Sequence, residues 1–151
     1  MNKLEEIIGL VSSWDKESRI SWDEYFLSTA FLIASRSPDL RLKVGCILVK
    51  NNHVISMGYN GFLPKLEHKS YIENNHEQAT VHAEQNSIAD CAKRGVETNG
   101  SIAYITHYPC INCFKILASS GIEKIYYKED YKNHSLVAIL AEQANIKIIK
   151  L

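Results

Sequence analysis

Apolar residues recur at helical spacing near the start of the chain, at Leu4, Ile7, Ile8 and Val11, and predict a short amphipathic helix. A second helix is signalled by Ser21 with Glu24 three residues on. In this capping box each side chain satisfies the other residue's free backbone donor. The helix body runs from Tyr25 past Ile33 and stops ahead of Pro38, because the residue before a proline is pushed out of helical geometry. Residues 44–49 are a β-branched apolar run that reads as a buried strand. Asn51-Asn52 turns the chain, and 53–57 returns as a second strand. Gly58-Tyr59-Asn60-Gly61 then opens a polar loop reaching to about Gln78, long enough to suggest a functional role. Beyond it the pattern predicts a helix from Thr80 to Arg94, closed by Gly95. A strand follows over 102–105, a helix from near Cys110 to Gly121, a strand over 125–127, a helix over 136–144 and a strand over 146–149.

Strands alternating with helices indicate a largely parallel or mixed sheet covered on both faces, a three-layer α/β/α arrangement of class α/β. Five strands are expected. We expect one domain over 1–151, with 1–20 as an N-terminal helical extension and no repeat or linker.

Composition narrows the function. Lys and Arg total 17 and so do Asp and Glu, so no overall positive field draws the chain onto a polynucleotide. No stretch approaches the roughly 20 apolar residues of a membrane span. Glu5 and Glu6 stand where a signal peptide would carry an apolar run, so a cytoplasmic protein is expected. Two of the four cysteines form a Cys-x-x-Cys pair, which in that compartment favours metal or redox chemistry over a disulfide framework.

Two segments carry the chemistry: His82-Ala83-Glu84, and Pro109-Cys110-Ile111-Asn112-Cys113. Together they match the His-x-Glu and Pro-Cys-x-x-Cys signature of zinc deaminases. One imidazole (His82) and two thiolates (Cys110, Cys113) suit a single Zn2+ and leave a tetrahedral position for water. Both cysteines fall at a helix start, where free backbone donors stabilise thiolates. Glu84 does not share the direction of His82 on a helix and leans over the open position. There it is placed to take a proton from the water and pass it to the ring nitrogen and the departing amine. A redox pair would leave His82 and Glu84 unexplained. A closed structural site would need Cys46 or Cys91 as a fourth ligand, though both sit in apolar or mid-helix positions where small buried cysteines are common. A zinc-stabilised module without activity would have no use for Glu84.

From about Ser21 to the last strand the chain resembles the deoxycytidylate deaminases of the cytidine deaminase-like superfamily. The likeness rests on Trp22-Asp23-Glu24-Tyr25-Phe26 with Arg36-Ser37, on Val44-Gly45 with Val49, and on Gly58 to Gly61. It continues through Val81-His82-Ala83-Glu84-Gln85-Asn86 and Tyr108-Pro109-Cys110 to Cys113. The resemblance implies hydrolysis of deoxycytidylate to deoxyuridylate, feeding thymidylate synthesis, and a homo-oligomer, in similar enzymes a hexamer. It implies that Asn60 contacts the sugar, and that Arg41, His76, Tyr131 and Lys132 gather at the phosphate. Lys132 stands where the family has Arg, which keeps the charge and loses the bidentate fork. The segment from Lys65 to Asn75 lacks the cysteines with which some members bind a second zinc, and His68 there is expected to face solvent. Other substrates remain open: deoxycytidine triphosphate, for which Lys43 and Lys132 would supply charge, or a free cytosine nucleoside. An RNA editor akin to the transfer-RNA adenosine deaminases fits less well, since those usually carry Met between the cysteines and a more basic surface.

Overall fold

The computed structural model describes residues 1–151. Helix α1 (Lys3–Ser12) is capped by Asn2 and Glu5, each side chain accepting from the other's backbone N–H, yet none of its residues is buried. Helix α2 (Trp22–Ala34) starts at the expected Ser21–Glu24 box and buries Phe26, Leu27, Ala30 and Ala34. Strands β1 (Gly45–Lys50) and β2 (His53–Tyr59) pair antiparallel around Asn51 and Asn52. Both asparagines have positive φ, 51° and 59°, as a two-residue turn matched to strand twist requires.

The long polar loop is more ordered than its composition suggests. It holds β3 (Gly61–Phe62), β4 (Ile72–Glu73), β5 (His76–Glu77) and β6 (Thr80–Val81). β4 and β5 form a second hairpin, again around two asparagines of positive φ, Asn74 and Asn75. β3 pairs with β6, and this corrects the helix expected from Thr80. Thr80 and Val81 are drawn into strand pairing, so α3 (Ala83–Arg94) begins three residues later with His82 as its N-cap. Gly95 closes it with φ 68°.

The rest of the chain alternates: β7 (Ile102–His107), α4 (Ile111–Ser119), β8 (Lys124–Glu129), α5 (Ser135–Gln143) and β9 (Lys147–Lys150). Ile146 falls outside the last strand, because its N–H closes the end of α5 on Ala141 O. The five long strands make one mixed sheet in the order β2-β1-β7-β8-β9, with β7, β8 and β9 parallel and β1 antiparallel to both neighbours.

Alternation along the strands divides the core in two. Cys46, Leu48, Ala103 and Ile105 face α3, α4 and α5 with Phe114, Leu117 and Val137. Ile47, Val49 and Tyr104 face α2, where they meet Phe26, Leu27 and Ala30. Two glycines let the helices approach. A Cβ on Gly45 would sit 2.0 Å from Ala30 O, and one on Gly58 2.5 Å from Ala83 O. The sheet and helices thus form the expected three layers, and the tight seat at Gly58 fixes the start of α3 against the sheet.

Candidate active site

Two helix starts converge at the ends of β7 and β8. His82 caps α3, Cys110 caps α4 in extended geometry, and Cys113 stands three residues on. The Cys110 thiol accepts the Cys113 N–H at 3.5 Å, a cap in which sulfur replaces the usual oxygen. Gln85 Oε1 accepts the His82 N–H at 3.2 Å, and Asn86 Nδ2 donates to Tyr59 O at 2.8 Å, tying the start of α3 to the end of β2. The Tyr108 N–H donates to Glu129 O, and the Tyr108 ring stands edge-on to Tyr127, which fixes the strand-to-helix turn around buried Pro109.

These placements bring one nitrogen and two sulfurs within 4.8 Å of one another. His82 Nδ1 lies 3.3 Å from Cys113 Sγ and 3.7 Å from Cys110 Sγ. Tetrahedral zinc with bonds of about 2.0 Å to nitrogen and 2.3 Å to sulfur implies edges of about 3.5 Å, between the two values. Donor chemistry and spacing therefore fit Zn2+. The contact with Cys113 holds the Cys110 thiol down to about 4 against the pull of burial, with His82 assisting. Cys110 is thus a thiolate at neutral pH, the form a metal needs. Cys46 and Cys91 are fully buried and stand outside the trio, and burial pushes both thiols up. No fourth protein ligand closes the site.

Glu84 is buried, 5% exposed, beside Cys113 of the metal-ligand trio. Burial pushes its carboxyl above the usual carboxylate range, opposed by its own backbone N–H and by His82. A carboxyl raised in this way is suited to both accepting and donating a proton.

The residues expected around the nucleotide separate into two pairs. Arg41 lies near enough to Glu77, the neighbour of His76, to lower its carboxyl, behind the stronger effects of Ser70 and the Tyr71 and Ala79 N–H groups. Tyr131 and Lys132 form the other pair, with the Lys132 ammonium 5.3 Å from the Tyr131 ring centre. Tyr131 stands edge-on to His107 at 6.2 Å, three residues ahead of Cys110, so the loop after β8 flanks the metal motif. No hydrogen bond or ring contact joins the two pairs. Asn60 clamps the backbone between them, its Oδ1 accepting from Val44 N–H at 2.8 Å and its Nδ2 donating to Leu42 O at 2.9 Å. One amide hydrogen is left for a ligand.

Two other residues weighed in the sequence are placed as follows. Lys43 donates to Ser37 O at 2.6 Å in the loop before β1. His68 is exposed, as expected, and its ring stacks on Phe62 at 4.9 Å. His107 was not singled out by sequence reasoning. It is half-buried beside the site, with Nδ1 2.7 Å from Thr106 Oγ1, and burial pulls its pKa below the usual histidine value, opposed by Glu129. Its place at a strand end just before Pro-Cys-x-x-Cys was the available signal.

Residues 20–129 match the family model described as the cytidine and deoxycytidylate deaminase zinc-binding region. ComE operon protein 2 of Bacillus subtilis (strain 168) is 42% identical over 134 residues, covering 86% of this chain and 71% of that protein. The deoxycytidylate deaminase of Schizosaccharomyces pombe is 31% identical over 142 residues, and this chain spans only 44% of its length. A crystal structure of the dCMP deaminase of cyanophage S-TIM5, in complex with dCMP and dUMP, superposes with a TM-score of 0.79 at 29% identity. The match covers 89% of this chain and 99% of the phage enzyme.

Proposed function

The chain belongs to the cytidine and deoxycytidylate deaminase family, and from that premise we propose that it hydrolyses deoxycytidylate to deoxyuridylate and ammonia. The observation that carries this reading is the open trio of His82, Cys110 and Cys113 with the buried Glu84 carboxyl beside it. Bound zinc supplies a Lewis acid that makes water a nucleophile near neutral pH. Cys110 and Cys113 contribute negative charge and His82 a neutral nitrogen, so the protein holds one position free for chemistry. Glu84 accepts the proton of the attacking water, delivers it to the ring nitrogen of cytosine, and then serves the amine that leaves as ammonia.

Asn60 offers its free amide hydrogen to the sugar. Arg41 and His76 approach the phosphate from one side, and Tyr131 and Lys132 from the other. One deaminase domain spans 1–151 with 1–20 as an extension, in the cytoplasm, where nucleotides are held. No helix is long and apolar enough to cross a membrane. The assembly is a homo-oligomer, a hexamer in its full form, and the exposed Tyr25, Phe31 and Leu32 on α2 support it.

The test is loss of cytosine absorbance when the zinc-loaded protein meets deoxycytidine and its mono-, di- and triphosphates. The monophosphate should turn over fastest. A preference for the triphosphate or the nucleoside overturns the substrate assignment while leaving the deaminase.

A further inference from the structure

The N-terminal helix is the one element of the fold with no work to do in its own chain. α1 buries no residue, although Leu4, Ile7, Ile8 and Val11 line one side of it and Trp14 follows. A ten-residue helix is marginal in water by itself and is normally held by packing of its apolar face. α1 also lies outside the residues that match the family, which begin at 20. It is an addition to the catalytic fold.

The molecule displays a surface of matching chemistry on α2, apart from a second exposed apolar patch at Leu63, Leu66, Tyr71 and Ile72. The outer side of α2 exposes Trp22, Tyr25, Ser28, Phe31 and Leu32, while Phe26, Leu27 and Ala30 face the sheet. We infer that α1 docks antiparallel on the outer face of α2 in a second copy of this chain, a contact that extends the proposed homo-oligomer and rests on that reading.

Spacing supports the pairing. Run antiparallel, Leu4 meets Leu32, Ile8 meets Ser28, Val11 meets Tyr25 and Trp14 meets Trp22, so both stripes stay in step along the two helices. Charge agrees with that direction. Glu5 and Glu6 in the first turn of α1 come on the side of Arg36, just past the end of α2. Area agrees as well. The apolar side chains of the two stripes are roughly half exposed, from 40% at Ile7 to 65% at Leu4. If each contributes on the order of 100 Å2, a reciprocal pair covers on the order of 800 Å2 per chain, the share each partner gives to a stable interface. A lipid surface fits less well, because helices that bind anionic membranes are rich in Lys and Arg, whereas α1 carries Lys3 against Glu5 and Glu6.

The experiment uses two full-length, zinc-loaded chains of different tag length. One carries Ile8→Cys and the other Ser28→Cys, and both are produced in the same cells. Cys46, Cys91 and Cys113 are buried and Cys110 is a metal ligand, so the same pair without the new cysteines gives the background. Mild oxidation should yield a covalent dimer of mixed mass, at least tenfold above background. A single-chain Ile8→Cys/Ser28→Cys variant should close little disulfide within itself. Adding Leu4→Asp to the Ile8→Cys chain should abolish the mixed dimer while deoxycytidylate turnover per zinc stays unchanged. Light scattering separates the two levels of the idea. A monomeric wild-type chain overturns the homo-oligomer reading together with this one. An oligomer that gives no mixed dimer, or a disulfide that closes only within one chain, overturns the α1 contact alone. So does sedimentation of α1-intact protein with phosphatidylserine vesicles, lost in Leu4→Asp.

Discussion

Glu84 and the two site cysteines divide the chemistry into tasks that single substitutions can separate. Glu84 touches no metal in the proposed arrangement, and burial raises its carboxyl above the usual carboxylate value. Glu84→Gln keeps shape and hydrogen bonding but cannot cycle a proton. It should retain about one zinc per chain and lose at least ~10²-fold in turnover, the usual contribution of a positioned acid–base group. Atomic absorption alongside the kinetics checks this, and loss of zinc in the variant would make Glu84 a ligand. Cys110→Ala should behave in the opposite way. Its sulfur is both a ligand and the cap of α4, accepting the Cys113 N–H. The variant should lose zinc, activity and several degrees of melting temperature together, because metal binding is linked to folding. Chelation of the wild-type protein should reproduce the loss of activity and the lower melting point, and readdition of zinc should restore both.

The elements show which local signals survive in the folded chain and which are overridden. The Ser21–Glu24 box forms as read, because capping depends on residues three apart and on nothing distant. Thr80 and Val81 carried no such signal. Their partners are Gly61 and Phe62, nearly twenty residues back, and only tertiary pairing makes them a strand. The β4–β5 hairpin was written in Asn74-Asn75 as plainly as the first hairpin in Asn51-Asn52, but its strands of two residues show no alternation to read. The metal trio was legible because its residue types admit little else. The clamp made by Asn60 was not, since its two partners are backbone groups brought to it by the fold. Arg94 is another such clamp: it reaches Asp90 through two nitrogens and donates to Ile55 O at 2.5 Å, fastening α3 to β2. Arg94→Ala should destabilise the fold only modestly at neutral pH, since exposed ion pairs contribute little, though the carbonyl contact adds to it. Asp90 is lowered chiefly by Arg94. A depressed acid stabilises the fold above its unfolded value, and that contribution is lost as pH falls through the folded one. The gap between wild type and variant in urea unfolding should therefore narrow below the ordinary Asp value of 3.8. A gap that stayed unchanged in acid would assign the effect to the carbonyl contact alone.

Across the whole molecule, the proposed phosphate contacts come from loops in distant parts of the chain. Arg41 precedes β1, His76 lies in the β4–β5 hairpin, and Tyr131 and Lys132 follow β8. The zinc motif closes the helix side of the same end of the sheet, and His107 bridges the motif to Tyr131. If these groups read the phosphate, they act at a distance from the ring that reacts. Charge-assisted contacts of about 1.5–3 kcal/mol each then supply remote binding energy that orients cytosine over the metal. Deoxycytidine should accordingly be a far poorer substrate than deoxycytidylate. Arg41→Ala and Lys132→Ala should each lower kcat/KM for the nucleotide on the order of tenfold or more, while the slow nucleoside rate barely changes. Lys132→Arg, which restores a planar fork at a position of φ 45°, should keep or improve nucleotide turnover if that loop contacts phosphate. Arg41 needs a separate control, because its charge also acts on Glu77, whose carboxylate accepts the Tyr71 and Ala79 N–H groups and so organises the hairpin. Glu77→Gln would loosen the hairpin without removing a cation. A loss in Arg41→Ala that falls equally on nucleoside and nucleotide, and that Glu77→Gln reproduces, would assign Arg41 to the loop instead of the phosphate. A loss confined to the nucleotide would place the cation at the substrate.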